Sequence, residues 1–124
     1  MSNTCIRILA DPVQIRECKN SLQELEAPLT DLAKAFNLAG NNARMKILFL
    51  LYQEKEMCPC DLSDVLDISV GGISQHLRKL KDGGMVKDKK VGQTVFYSLV
   101  DENIEFLKPM LTGLITKKQE KVEP

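Results

Sequence analysis

The residues of this chain whose side chains are best suited to metal binding or redox chemistry are two cysteines separated by one proline, Cys58-Pro59-Cys60. On a regular helix, thiols at this spacing lie about 200° apart and cannot bind one ion together. At the junction of a loop and a helix they can converge. Pro59 favours that arrangement because it restricts the residue before it and is tolerated at the start of a helix. We therefore place Cys58 just before a helix and Cys60 in its first turn, where two thiolates favour a soft ion such as Cd(II), Pb(II), Hg(II), As(III) or Zn(II).

A third ligand is needed, because two thiolates rarely complete a metal site. Cys18 lies on an apolar helical stripe, where a cysteine acts as a small hydrophobic residue. Cys5 lies in a short N-terminal arm, where burial would not explain it, so it is the better candidate and Cys18 is the alternative. The single histidine, His76, is not expected to bind metal. Four cysteines without a secretory signal predict reduced thiols in the cytoplasm rather than a disulfide scaffold.

The composition indicates one small globular domain. The chain has 124 residues, 44% of them hydrophobic, and 17 basic residues balance 17 acidic ones. It contains no apolar run near the ~18 residues that span a membrane, so we expect no membrane partner. We divide the chain into an arm (1–11), a main domain (12–118) and a tail (119–124).

Hydrophobic periodicity predicts a mainly α fold with one small β-hairpin. The two short central helices, followed by the hairpin, are typical of a winged helix-turn-helix. Ser69 is suited to capping the second of them, and Gly83-Gly84 to ending it. The predicted helices start at Pro12 and Leu29 and then cover 43–52, 59–66, 70–82 and 104–118; the predicted strands cover 85–91 and 94–100, with Gly92-Gln93 at the turn.

The stripes of the terminal helices predict a homodimer, because a small monomer would not bury all of them. They comprise Ile15, Cys18, Leu22 and Leu25 in the first helix and Leu107, Leu111 and Leu114 in the last. In the last helix, Pro109 should either start the helix or kink it.

Charge is segregated although it sums to zero. Residues 78–90 carry six basic side chains against two acidic ones, a net charge of +4, whereas residues 54–67 carry one basic and five acidic ones, a net charge of −4. A positive helix end and hairpin beside a turn motif indicate binding to the phosphates of double-stranded operator DNA. A solvated charged face is the alternative if the helix-turn-helix pattern is ignored.

The helix over 70–82 is the predicted recognition helix. Gln75 can read adenine and Arg78 can read guanine by paired hydrogen bonds. Two glycines in a first turn each cost about 1 kcal/mol against alanine, a cost that makes sense if the backbone approaches DNA closely. The candidate DNA-binding residues are Gly71, Gly72, Ser74, Gln75, Arg78, Lys81, Lys89, Lys90 and Gln93.

Several ordered motifs resemble the ArsR/SmtB family of metal-responsive repressors, most closely its cadmium- and lead-sensing members. The resemblance covers residues 29–118, and Thr4-Cys5 also matches the arm of the cadmium sensors. It implies that Cys58 and Cys60 of one protomer and Cys5 of the other gather one soft ion. The matching motifs are Asn41-Asn-Ala-Arg-Met-Lys-Ile-Leu, Glu56-Met-Cys-Pro-Cys-Asp-Leu, Ser69-Val-Gly-Gly-Ile-Ser-Gln-His-Leu-Arg-Lys-Leu, Gly84-Met-Val and Val95-Phe-Tyr-Ser-Leu.

The sequence departs from the family at its other metal positions. Leu9 stands where the cadmium sensors have a second arm cysteine, and Ser63 where arsenic sensors have a third thiol. Asp101 remains from the zinc site of the last helix, but Asn103, Leu114 and Lys117 replace its partners. Three thiolates suit As(III), Pb(II) or Hg(II) at least as well as Cd(II), and no organic cofactor is expected.

Two other functions remain open at this point. The same thiols could form a redox switch in a DNA-binding repressor. A metal-carrying or thiol-exchange protein without DNA would leave the basic hairpin unexplained. An enzyme is disfavoured, because the single histidine lies in the recognition helix and leaves no base to activate a thiol.

Overall fold

A computed structural model describes residues 4–121, with side chains for residues 4–119. The chain divides into two units, one ending at Lys34 and the other beginning at Ala35, which are described separately. Among the described residues, no helix is long and apolar enough to cross a membrane. The elements are α1 (Pro12–Glu24), α2 (Glu26–Ala39), α3 (Asn42–Glu54), β1 (Glu56–Met57), α4 (Pro59–Leu66), α5 (Val70–Asp82), β2 (Val86–Val91), β3 (Thr94–Leu99), a 3-10 turn (Asp101–Asn103) and α6 (Lys108–Lys121).

In the N-terminal unit, Asp11 starts α1. Its carboxylate accepts hydrogen bonds from the backbone N–H groups of Val13 and Gln14, at 3.1 and 3.0 Å. Every described residue from 4 to 34 is exposed in the single chain. The expectation that Cys18 lies in a buried stripe is therefore wrong for the single chain, because nothing in this unit covers that face of the described helix.

The second helix begins before Pro28 rather than after it. The sequence predicted a start at Leu29, but α2 begins at Glu26. Pro28 is thus the third residue of the helix, where the backbone N–H has no helical acceptor and its absence costs nothing.

The hydrophobic core lies in the second unit, between α3 and α5. Ile47, Leu48 and Leu51 of α3 are fully buried, as the sequence predicted for a central helix. Burying each such side chain contributes about 1.5–3 kcal/mol to the free energy of unfolding. The other core residues of this unit are Ala39, Leu62, Ile73, Leu77, Leu80, Met85, Val86, Leu99, Ile104, Leu107 and Leu111.

The helix-turn-helix consists of α4 and α5 joined by residues 67–69. Asp67 ends α4 in the left-handed conformation, with φ 56°. The Ser69 hydroxyl accepts a hydrogen bond from the Gly72 N–H at 3.1 Å and caps α5, as predicted. Leu62 of α4 is fully buried, whereas Val65 is 56% exposed and lies outside the core.

The hairpin is part of a three-stranded antiparallel sheet in the order β1-β3-β2. The turn contains Gly92 at φ 63°, a conformation that favours glycine. The third strand, β1, was not predicted, because two residues are too few to show a period. Glu56 pairs with Ser98 and Met57 pairs with Tyr97, so β1 joins the end of α3 to the wing.

The last helix starts later than predicted. α6 begins at Lys108 rather than at residue 104, with Pro109 at its second position. A helix already formed at residue 105 would place the proline ring against that residue's carbonyl. Leu107 and Leu111 are each only 2% exposed in the single chain, so it was wrong to expect that a monomer cannot bury them; Leu114 remains 55% exposed.

Candidate metal and DNA-binding sites

Cys58 and Cys60 lie where the sequence predicted, at the start of α4. Cys58 is the N-cap residue in extended conformation, with φ −90° and ψ 160°, and Pro59 follows it as the first helical residue. Cys58 is half-buried and Cys60 is exposed. Both thiols are free and lie in the turn where a loop enters a helix.

A third sulfur is not supplied by the same part of the chain. Cys5 and Cys18 both belong to the N-terminal unit and are exposed there. Among the described residues of a single chain, no three histidine, cysteine, aspartate or glutamate side chains are grouped closely enough to hold a metal ion. Of the four cysteines, Cys58 and Cys60 belong to the second unit.

The joint between α4 and α5 is held by a hydrogen bond that the sequence did not reveal. The Ser63 hydroxyl donates to the Ile68 carbonyl at 2.5 Å. Ser63 lies one helical turn after Cys60, and Ile68 immediately precedes the cap of α5. This hydrogen bond links α4 to the residue before the cap of α5.

The recognition helix buries one face and exposes the other. Ile73, Leu77 and Leu80 are fully buried, whereas Ser74, Gln75 and Arg78 are exposed. The side chains of the exposed face are therefore accessible to a ligand in solution.

The two glycines of α5 have different structural roles. A Cβ atom on Gly72 would lie 2.9 Å from Ile68 Cγ2 and 3.2 Å from Ser69 Oγ. A Cβ atom on Gly71 would meet no atom within 4 Å. Packing within the joint therefore accounts for Gly72, whereas only Gly71 lacks a structural reason and fits a close approach of DNA.

His76 is half-buried on α5. Burial lowers the pKa of its imidazole, and the positive charges of Arg44 and Lys79 lower it further. Arg44 is held in place by a 2.7 Å hydrogen bond from its Nε to the Leu38 carbonyl. A lowered pKa favours the neutral form of His76 at pH 7. The sequence analysis did not single out Arg44 as a neighbour of His76.

Part of the predicted basic surface is neutralised by ion pairs. Lys81 donates to Asp88 at 2.8 Å, and this hydrogen bond raises the pKa of Lys81. Lys89 lies 3.9 Å from a carboxylate oxygen of Glu56. The importance of Asp88 and Glu56 was missed, because both are distant in sequence from their partners.

The exposed wing residues do not form one uniform surface. Lys89 and Lys90 are adjacent in β2, so their side chains leave opposite faces of the strand. Both are exposed, as is Gln93 in the turn. Lys89 and Lys90 can therefore contact different phosphates, on either side of the hairpin tip.

These elements define a winged helix-turn-helix protein, the architecture of a DNA-binding regulator. Residues 41–88 match the family described as bacterial regulatory protein, arsR family. An arsenic resistance transcriptional regulator, ArsR1, of Pseudomonas putida is 33% identical over 89 residues, covering 72% of this chain and 70% of that protein. The chain belongs to the arsR family.

Two further comparisons agree with this assignment. A homolog of the cadmium resistance transcriptional regulatory protein CadC from Staphylococcus aureus is 40% identical over 77 residues, which cover 62% of this chain and 64% of that protein. The chain thus spans slightly less than two thirds of that relative. The crystal structure of the transcriptional regulator HlyU from Vibrio vulnificus aligns with a TM-score of 0.63 and 30% identity, over 77% of this chain and 95% of that one.

Proposed function

We propose that the protein is a homodimeric transcriptional repressor that leaves operator DNA when a soft metal or metalloid ion binds its cysteine thiolates. The observation that carries this proposal is the position of Cys58 and Cys60 at the start of α4, directly before the recognition helix. The names of the relatives from Staphylococcus aureus and Pseudomonas putida support a cadmium or arsenic effector. The repressor acts in the cytoplasm, where thiols stay reduced.

The ion is held by three sulfur atoms: Cys58 and Cys60 of one protomer and Cys5 of the other. Exposure of Cys5 and the lack of a third nearby ligand among the described residues of one chain support this set. Cys18 is the alternative third ligand, since it is exposed as well. Three soft thiolates favour As(III), Pb(II), Hg(II) or Cd(II) over hard cations.

The dimer uses the apolar surface of α1 and α6. Leu22 of α1 is 58% exposed, and Met110 and Leu114 of α6 are 53% and 55% exposed. Leaving such side chains in water is unfavourable, and a second copy of the chain would cover them. A dimer also places two recognition helices about 34 Å apart, on successive turns of the DNA major groove.

DNA binding divides between base reading and phosphate contacts. Gln75 and Arg78 read base edges, with Ser74 beside them, while the backbone at Gly71 allows close approach. Lys81, Lys89, Lys90 and Gln93 contact phosphates along the backbone. Of these, Lys90 contributes most to the salt dependence, because Lys81 and Lys89 already have acidic partners.

Release follows from movement of α4. An ion that joins Cys58 and Cys60 to the arm of the partner pulls on the start of α4, and the bond from Ser63 to Ile68 passes the movement to α5. The two recognition helices then lose their spacing. Metal and DNA weaken each other's binding equally, by about 1–3 kcal/mol.

A thiol-based redox switch of the same fold is the second candidate. It is favoured by the accessibility of Cys60 and Cys58. A peroxide would oxidise one thiolate to a sulfenic acid, which condenses with a second thiol to a disulfide and releases water.

One experiment distinguishes these candidates. Reduced protein is titrated with As(III), Cd(II), Pb(II) and Hg(II), or with hydrogen peroxide, while its binding to an operator selected from random duplexes is followed by fluorescence anisotropy. Release by ions under reducing conditions supports the metal sensor, whereas release by peroxide alone supports the redox switch. A chain that binds ions but selects no duplex is a metal carrier, and the proposal is then wrong.

A further inference from the structure

A cavity of about 470 Å³ lies on the side of the second unit where α3 ends and α6 begins. Its wall includes Lys55 after α3, Lys87 of β2 and Lys108 of α6. We call this cavity the lysine pocket. Its volume is within the range of about 300–1,000 Å³ of small-molecule sites, and the cysteine thiols do not belong to its wall.

The charge of the lysine pocket is positive. Three lysines and one carboxylate, that of Asp101, belong to its wall. Lys108 Nζ lies 3.6 Å from Asp101 and 2.9 Å from Glu105, and the hydrogen bond to Glu105 raises the pKa of Lys108. Lys55 and Lys87 are exposed at the rim, and neither has an acidic partner among the ion pairs of the described residues.

Two of the lysines occupy positions that are unfavourable for them. Lys55 has φ 80° and ψ −49°, a strained backbone conformation for a residue other than glycine. Lys108 places a cation at the start of α6, where the helix dipole is positive, and the carboxylates of Asp101 and Glu105 offset part of that charge. An anion in the pocket would offset the remaining positive charge, that of Lys55 and Lys87.

Neutral donors complete the wall. Ser98 pairs with Lys87 across the sheet, so their two side chains project from the same face of the sheet and are neighbours there. The Tyr52 hydroxyl is bound to the Thr112 hydroxyl at 2.6 Å, and the Lys55 ammonium lies 5.7 Å from the centre of the Tyr52 ring. An aromatic face thus adjoins the charged donors.

We propose that the lysine pocket binds the phosphate group of a small phosphorylated compound. A phosphate dianion accepts hydrogen bonds on several oxygens, and the wall offers it lysines from three separate parts of the chain. The aromatic face of Tyr52 is placed to contact the organic part of such a compound. This site is separate from the thiolates, so phosphate binding does not depend on a soft ion.

The test is a titration of the full-length, reduced, metal-free protein with pyrophosphate at constant ionic strength, followed by amide NMR. We expect saturable shifts at Lys55, Ser98 and Lys108. The double variant Lys55→Gln/Lys87→Gln should bind about tenfold more weakly, because two charged donors are lost. The control variant Lys46→Gln, which removes an exposed lysine from α3 outside the pocket, should bind as the wild type does.

Three outcomes would overturn the proposal. One is a set of shifts confined to α5 and the tip of the wing, which would place the anion on the DNA-binding surface. Another is equal weakening by the control variant, which would indicate general charge attraction. The last is equal binding of succinate, which would show no preference for phosphate. Adenosine monophosphate and inorganic phosphate serve as further arms: tighter binding of the nucleotide identifies a phosphate ester as the ligand, and equal binding identifies free phosphate.

Discussion

At the scale of single residues, alanine substitutions at the two neighbouring glycines of α5 distinguish a role in packing from a role in DNA binding. Gly71→Ala should raise the free energy of unfolding by up to about 1 kcal/mol, because alanine favours the helix and the added methyl group meets open space. The free energy of unfolding of Gly72→Ala should be about 1–3 kcal/mol lower than that of Gly71→Ala, because the added methyl group meets the stiff Ile68 side chain. Urea unfolding of both variants measures the difference.

The same pair of variants tests the approach of DNA to the backbone. Gly71→Ala should weaken operator binding although it stabilises the protein. If Gly71→Ala binds the operator as tightly as the wild type, close backbone approach at this position is excluded.

His76 makes the free energy of unfolding depend on pH. Because its pKa is lower in the folded protein than in the unfolded chain, the unfolded chain binds more protons just below the ordinary pKa of 6.5. The contribution of neutral His76 to the free energy of unfolding is therefore complete above pH 6.5 and is lost as the pH falls below it. Urea unfolding between pH 7.5 and 5 should show this loss in the wild type and a smaller one in His76→Gln. Equal losses would assign the effect to other groups.

At the scale of elements, the joint of the helix-turn-helix connects the thiols to the DNA-reading surface. Ser63→Ala leaves the Ile68 carbonyl without its donor and should cost about 1 kcal/mol of stability. The thiolate-to-metal charge-transfer absorption of the ion-bound protein should be unchanged, since no sulfur atom is altered. Release of DNA by the ion should be weakened, because α4 then moves with less effect on α5. Full release at unchanged metal affinity would show that the signal takes another route.

At the scale of the whole molecule, the exposed stripes should make the protein a dimer. Leu22→Asp and Leu114→Asp each introduce a charge into this apolar surface and should produce monomers with weakened operator binding. Thr116→Ala, at another exposed position of α6, should remain dimeric. Sedimentation equilibrium that shows a folded wild-type monomer at micromolar concentration would contradict the dimer.

Local patterns predicted much of this molecule, and long-range contacts account for what they missed. The caps at Ser69 and Cys58, the hairpin turn at Gly92 and the buried stripe of α5 depend on neighbouring residues and were predictable. The strand β1 and the pairing of Lys89 with Glu56 depend on residues far apart in the chain. The lysine pocket has the same origin, since its wall comes from five separate elements. Sequence periodicity also could not tell which apolar faces the single chain would cover.

The most direct test of the central claim measures operator release against added As(III), Cd(II), Pb(II) and Hg(II) in four cysteine variants, under a phosphine reductant that does not compete for metal. Cys58→Ser, Cys60→Ser and Cys5→Ser should each bind the operator and fail to release it, because two thiolates hold these ions poorly. Cys18→Ser should release DNA as the wild type does. Release by all four variants would contradict the account. An unresponsive Cys18→Ser with a normal Cys5→Ser would assign the third sulfur to α1 instead of the arm.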